Sequence, residues 1–251
     1  MDDLQLLVEL YRGTDRQGPG GEAETRMAIA LSGLSAGRNL RIADIGCGSG
    51  ASTIVLARDL DAHVTAVDMV PEFLDILKTD AARAGVAERI ETRACAMEEL
   101  AFGEAGLDAI WSEGAIYNIG FEAGVAAWRK FLRPGGILAV SELTWLTDDR
   151  PADLQAHWQR EYPEVATASE KLALLEKHGF SPIGYFVLPE SCWLDNYYRP
   201  LERRFDAFLQ SQGNSAPARA VVEAQKQEIS LYRQYKDFFG YGFYIARRSA
   251  D

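Results

Sequence analysis

Apolar residues recur along this chain in two alternating rhythms. Short apolar runs, several rich in β-branched residues, lie at 41–45, 63–68, 90–95, 107–112 and 137–142 and read as strands. Between them the apolar spacing changes to that of a helix. In 51–60 the apolar positions are Ile54, Val55, Ala57 and Leu60. A second helix is predicted over 71–84, with Pro71 in its first turn and Gly85 ending it. A third runs over 121–132 and stops at Arg133-Pro134-Gly135-Gly136. Strand and helix alternating through short links predict a parallel, doubly wound α/β sheet.

The flanks have other patterns. Residues 2–11 read as a short helix with an acidic start, and 22–34 as a second helix. Between them, 12–21 is polar and glycine-rich and breaks any helix. This N-terminal segment, 1–37, is either a helical lid or an ordinary surface turn beside the main domain of 38–251. Beyond 146 the predicted order is helix at 151–162, helix at 169–178, strand at 184–188, helix at 195–212, a break at 213–217, helix at 219–238 and a closing strand at 241–248. The cap insertions are therefore expected at about 146–178 and 190–238. If the last two strands pair, a long helical stretch is inserted between them, where such folds place substrate groups.

The densest local signal is Asp44-Ile45-Gly46-Cys47-Gly48-Ser49-Gly50, between the first strand and the first helix after it. Its glycines let backbone approach a ligand, since no Cβ intervenes. The spacing is GxGxG, not the GxGxxG of dinucleotide enzymes. A pyrophosphate wants a helix N-terminus without a nearby carboxylate. Asp44 puts a carboxylate there, which suits a ligand with an ammonium group and no phosphate, such as adenosylmethionine. Asp68 closes the next strand, roughly 20 residues beyond the turn, where a carboxylate accepts ribose hydroxyls. Met69 is placed to pack on adenine or simply in the core. Ala96 and Met97 stand where an acid often meets the adenine edge, so backbone amides would read the base.

Taken together, Asp44 to Gly50, the Asp68 strand end, the strand at 107–111 and the Arg133–Gly136 turn resemble class I adenosylmethionine-dependent methyltransferases, in particular the methyltransferase type 11 or ubiquinone-methylase-like group. The resemblance spans roughly 38–145. It implies a Rossmann-like, seven-stranded, mostly parallel sheet with an antiparallel last strand and helices on both faces. It implies an enzyme that transfers a methyl group from S-adenosyl-L-methionine to a small molecule, leaving S-adenosyl-L-homocysteine. The cofactor set expected here is Asp44, Gly46, Cys47, Gly48, Gly50, Asp68, Met69, Ala96, Met97 and Glu113, with Arg12 and Gln17 from the N-terminal loop.

Methyl transfer is an in-line displacement for which the protein chiefly aligns donor and acceptor. A base is needed only for a protonated nucleophile. The loop after the strand at 107–112 carries Glu113, which reads as a base, an acceptor anchor or a loop cap. It also carries Tyr117, whose ring either approaches the sulfonium or packs. These two are the catalytic candidates. Arg12 and Arg16 read as carboxylate binders or solvated charges. Trp145, His157, Trp158, Trp193, Tyr197 and Tyr198 either line an acceptor pocket or seal helices on the sheet.

Composition narrows the partners. The 251 residues are 47% hydrophobic and 25% charged, with a formal net charge of -11, which argues against a polyanionic partner such as nucleic acid. Three scattered cysteines and three histidines without ligand spacing fit reduced thiols, a cytoplasmic setting and no metal site. No secretory signal is visible and no run is long enough for a membrane span. Monomer and homodimer remain equally open. The alternatives are an adenosylmethionine-sensing module without catalysis, or a transferase that moves another group from the same donor.

Overall fold

The computed structural model describes residues 3–250. Two helices come first, α1 (Asp3–Tyr11) and α2 (Glu22–Ser32). The alternating region is β1 (Arg41–Ile45), α3 (Ala51–Asp59), β2 (His63–Asp68), α4 (Pro71–Arg83), β3 (Ile90–Ala94), β4 (Leu107–Glu113), α5 (Phe121–Trp128) and β5 (Leu132–Trp145). Then come α6 (Ala152–Glu161), β6 (Ala166–Thr167), α7 (Ala168–Lys177) and β7 (Phe180–Val187). Four further helices, α8 (Glu190–Trp193), α9 (Arg199–Glu202), α10 (Phe205–Ser211) and α11 (Ala216–Tyr235), lead to β8 (Phe239–Arg248).

The sheet order is β3-β2-β1-β4-β5-β8-β7, with the two-residue β6 appended to β5. β8 runs antiparallel to both β5 and β7, while the other pairings are parallel. The expected seven strands are thus present, and β6 is an eighth. Side-chain alternation along each strand divides the core between two faces. Ile42 joins the cluster formed with α2, α3, α4 and the cap. Ala43 and Ile45 join the opposite cluster, formed with α5 and α7. No helix among the described residues is long and apolar enough to cross a membrane.

Several boundaries differ from the pattern reading, each for a local reason. Asp2, at the start of the expected first helix, lies outside the described residues. The pattern makes 213–217 a break, but α11 begins inside it with Pro217 in its first turn. A proline costs no hydrogen bond there, because first-turn N–H groups have no helical partner. The helix expected over 195–212 is broken into a π-helical turn at Leu194–Tyr198 and the short helices α9 and α10, with α8 directly before the turn. β5 starts at Leu132 and takes Pro134 and Gly135 into an irregular stretch where its register against β4 shifts.

Phe243 of β8 ties the sheet's centre together. It is 1% exposed, stacks on Phe186 at 5.2 Å and meets Trp111 edge-on at 5.7 Å. Phe243→Ala is expected to cost about 3–5 kcal/mol, from lost burial and the cavity left behind. Urea unfolding measures it directly, and a loss below about 1 kcal/mol would show that the site repacks freely.

Candidate active site

The turn after β1 is shaped by backbone bonds to the neighbouring strand. The N–H groups of Gly46 and Cys47 both donate to the carbonyl of Val67, at 2.8 and 3.0 Å. Gly46 has φ +71° and Gly48 φ +54°, conformations that favour glycine. A Cβ at Gly46 would collide with the side chain of Ala115, and one at Gly48 with the carboxamide of Gln17. Asp68, at the end of β2, accepts the N–H of Gly48 at 2.8 Å and that of Val70 at 2.9 Å, one on each carboxylate oxygen. Its remaining lone pairs are left for a ligand. Burial pushes its carboxyl up from the ordinary value, and these backbone bonds oppose the rise.

Asp44 sits behind this turn. It is 1% exposed, and one oxygen accepts the hydroxyls of Ser52 at 2.8 Å and Thr53 at 2.6 Å, both from the first turn of α3. The other oxygen is buried without a partner among the described residues. Burial pushes the carboxyl up to about 7 against those two hydrogen bonds.

The opposite wall is the end of β4, met by the N-terminal loop. Glu113 takes three hydrogen bonds. Arg16 donates to one oxygen at 2.9 Å, while Thr25 (2.6 Å) and the Trp111 indole (3.0 Å) donate to the other. Arg16 and Glu113 form an ion pair largely withdrawn from solvent. Gln17 accepts the backbone N–H of Ser49 at 2.8 Å, which seats the loop on the glycine turn. Arg12, by contrast, is exposed and pairs with Glu9 at 3.4 Å.

These walls enclose a cavity of about 480 Å³. Gly46, Cys47, Gly48, Asp68, Met69, Ala96, Met97, Glu113, Tyr117 and Gln17 line it. Asp44, Gly50 and Arg12 do not. Arg16, Phe73, Cys95, Glu98, Asn118 and Ile119 are also on the wall and lie outside the expected cofactor and catalytic sets. Arg16 carries a sequence signal, since it is the second arginine of a polar loop, but nothing in the spacing sets it above Arg12. The charges fit a cationic nucleoside. Three carboxylates, Asp68, Glu98 and Glu113, face the cavity, and the guanidinium of Arg16 is already paired. These carboxylates oppose a pyrophosphate, whereas a sulfonium and an ammonium meet the favourable potential. Phe73, Met69 and Met97 offer an apolar bed for a base.

A second cavity of about 450 Å³ shares Tyr117 and Asn118 with the first. Trp158, Tyr162, Trp193, Tyr198, Tyr232 and Glu228 are on its wall. Trp193 stacks on Tyr232 at 4.3 Å, and Tyr198 donates to Glu228 at 3.1 Å. Of the six residues picked out in the insertions, Trp158, Trp193 and Tyr198 line this chamber. Trp145 packs in the core, and Tyr197 holds Tyr11 through its hydroxyl. His157 lines neither cavity and lies 3.5 Å from Arg160. Glu228 and Tyr232 escaped the sequence reading, although a carboxylate four residues before an aromatic on an amphipathic helix shares its face. Beside the chamber, Lys171 is buried against Glu142 at 3.4 Å, and burial drives both toward their neutral forms.

Comparison with known proteins agrees with this geometry. A family described as a methyltransferase domain matches residues 42–136. A 27-O-demethylrifamycin SV methyltransferase from Amycolatopsis mediterranei is 28% identical over 217 residues, covering 84% of this chain and 77% of that protein. A ubiquinone biosynthesis O-methyltransferase from Xylella fastidiosa is 35% identical over 117 residues, which is 46% of this chain and 44% of the relative. The fold is shared with an adenosylmethionine-dependent methyltransferase from Geobacter sulfurreducens solved with S-adenosyl-L-homocysteine, at a TM-score of 0.84 and 20% identity over 96% of this chain and 97% of that one.

Asp44 also sets a pH dependence. Its folded value is raised above that of an unfolded aspartate, so the native chain keeps a proton that the unfolded chain loses between about pH 4 and 7. Stability of the ligand-free protein therefore falls as pH rises through that window, by about 4 kcal/mol if the full shift is expressed. Asp44→Asn should flatten this slope. Urea midpoints at pH 5 and 8 for both proteins check it, and identical slopes would remove Asp44 as the cause.

Proposed function

We propose that this chain, a class I adenosylmethionine-dependent methyltransferase, passes the methyl group of its donor to a small molecule lodged in the aromatic chamber. The observation that carries this reading is the wall of Tyr117 and Asn118 shared by the donor cavity and the chamber. A methyl group and its acceptor must meet across such a boundary. The donor, when bound, supplies a methyl on a positively charged sulfur and so needs alignment more than activation.

The chain's own residues divide the task. Asp68 holds the ribose hydroxyls, and the backbone around Gly46 and Gly48 gives close approach to the rest of the donor. Met69, Phe73 and Met97 pack the base, with Ala96 leaving backbone to read its edge. Gln17 and Arg16 close the methionine end, a role that Arg12, outside the cavity, does not reach. Asp44 acts from behind the turn by holding the first turn of α3 through Ser52 and Thr53. Tyr117 positions the acceptor. Glu113, with both oxygens occupied, locks the N-terminal loop shut instead of serving as a free base. In this reading the lid is the loop at 12–21 together with α1. α2 packs on α3, β7 and β8 and belongs to the sandwich. The acidic chain suits a small molecule better than a polyanion, and the unpaired thiols Cys47, Cys95 and Cys192 suit a cytoplasmic setting.

Two measurements test the assignments. S-adenosyl-L-homocysteine should raise the melting temperature while NAD does not, and Asp68→Ala should weaken S-adenosyl-L-homocysteine binding by about tenfold or more. Unchanged affinity in that variant would mean that the ribose is held elsewhere. Glu113→Gln should weaken cofactor binding and speed tryptic cleavage at Arg12 and Arg16, because the loop loses its anchor. If turnover vanished while affinity and cleavage stayed as in the parent, Glu113 would belong to the chemistry instead.

A further inference from the structure

The chamber wall has a uniform electrical character. Trp158, Trp193, Tyr198 and Tyr232 contribute aromatic rings, and Glu161 and Glu228 contribute carboxylates. No lysine, arginine or histidine stands on that wall among the described residues. Aromatic faces carry negative potential, and a cation over them is attracted more strongly once water is excluded. The rings are also held in place. Trp193 lies between Tyr232, stacked at 4.3 Å, and Tyr241, edge-on at 4.8 Å, and Glu228 fixes the Tyr198 hydroxyl. A cage already ordered before binding loses little freedom on taking up a ligand.

Resting on the reading that the chamber holds the acceptor, we infer that this acceptor is a small organic amine carried as its cation. An anionic acceptor is opposed by both carboxylates and by the ring faces. A hydroxyl acceptor would develop an alkoxide or phenolate beside these carboxylates, and the wall offers no histidine, lysine or arginine to balance that charge. Lys171, buried beside the chamber, is not on the wall and is committed to Glu142. An amine is recognised as its ammonium and passes one N–H proton to the Glu228 carboxylate before transfer. The freed nitrogen lone pair then forms the bond to the methyl carbon, and the carbon–sulfur electron pair leaves with the sulfur of S-adenosyl-L-homocysteine. The ammonium form finds the rings and Glu228, and the volume of about 450 Å³ leaves room for an organic substituent.

The test compares choline with 3,3-dimethyl-1-butanol, its uncharged isostere, by quenching of tryptophan fluorescence in the whole chain saturated with S-adenosyl-L-homocysteine. Choline is expected to bind about tenfold or more tightly than the alcohol, and Glu228→Gln to reduce that preference without changing the alcohol's affinity. Equal binding of the two molecules, or preference for the alcohol, overturns the inference. So does the absence of binding by either while S-adenosyl-L-homocysteine still binds. Failure of S-adenosyl-L-homocysteine to bind, recorded in the same titrations, would instead overturn the underlying reading of the donor cavity. The parent-protein comparison needs no variant, so it stands even if Glu228→Gln fails to fold.

Discussion

The site depends on one carboxylate. Glu113 ends β4 and collects a guanidinium from the N-terminal loop, a hydroxyl from α2 and an indole N–H from its own strand. A buried ion pair gains little net stability, because desolvation opposes the attraction, but removing one partner strands the other. That asymmetry makes Glu113 a determinant of arrangement more than of stability. With it in place, the loop at 12–21 has one seat at the carboxyl ends of β1 and β4, and Gln17 reaches the glycine turn from there. The turn in turn leaves no room for any side chain where Gln17 and Ala115 press against it. Donor cavity, loop and strand end are thus one mutually fitted unit.

The sheet was readable because its physics is local and periodic. Buried parallel strands need continuous apolar runs, and the helices between them need apolar stripes, so Arg41–Ile45 and Ala51–Asp59 announce themselves. Asp68 was readable for a related reason, since a carboxylate at the end of the second strand has few structural uses. Asp44 was seen, but its placement was not. Alternation puts its side chain on the α3 side of the sheet with Ile42, under the first turn of that helix, and Ser52 and Thr53 claim it. Arg12 and Arg16 could not be told apart, because a glycine-rich loop has no period from which to predict direction. The chamber was hidden for the opposite reason. Glu228 lies on an amphipathic helix whose partners are remote in sequence, and nothing local distinguishes a carboxylate turned to a cavity from one turned to water.

The cap is joined to the loop at 12–21. The Tyr11 hydroxyl contacts that of Tyr197 at 2.8 Å and donates to Gln225 at 2.6 Å, linking α1 to the cap and to α11. Arg204 donates to the carbonyl of Leu10 at 2.7 Å, and Asn196 to that of Gly20 at 2.8 Å. The loop from 12 to 21 is therefore gripped at both ends by the segment that builds the aromatic chamber. A rearrangement opening one cavity must strain these four bonds and so disturb the other. Polar contacts of this kind suit parts that separate and reseat, since each contributes only about 0.5–1.5 kcal/mol net and water can replace it.

That linkage bears on how a methyl-transfer site stays dry. The donor's charge attracts water as well as nucleophiles, and the acceptor competes with water for the space beyond Tyr117. In the proposed reading, an acceptor in the chamber meets a donor cavity that the loop at 12–21 covers, and the four bonds above hold that loop to the cap. The π-helical turn at Leu194–Tyr198 lies at this junction, carrying Asn196 toward the loop and Tyr197 toward α1, while Trp193 just before it and Tyr198 at its end reach the chamber. An extra residue in a helical turn rotates the residues beyond it, which is how a single short segment serves both partners. In the proposed reading the sheet sets specificity for the donor and the cap sets the shape offered to the acceptor, and the five residues of that turn hold the two in register.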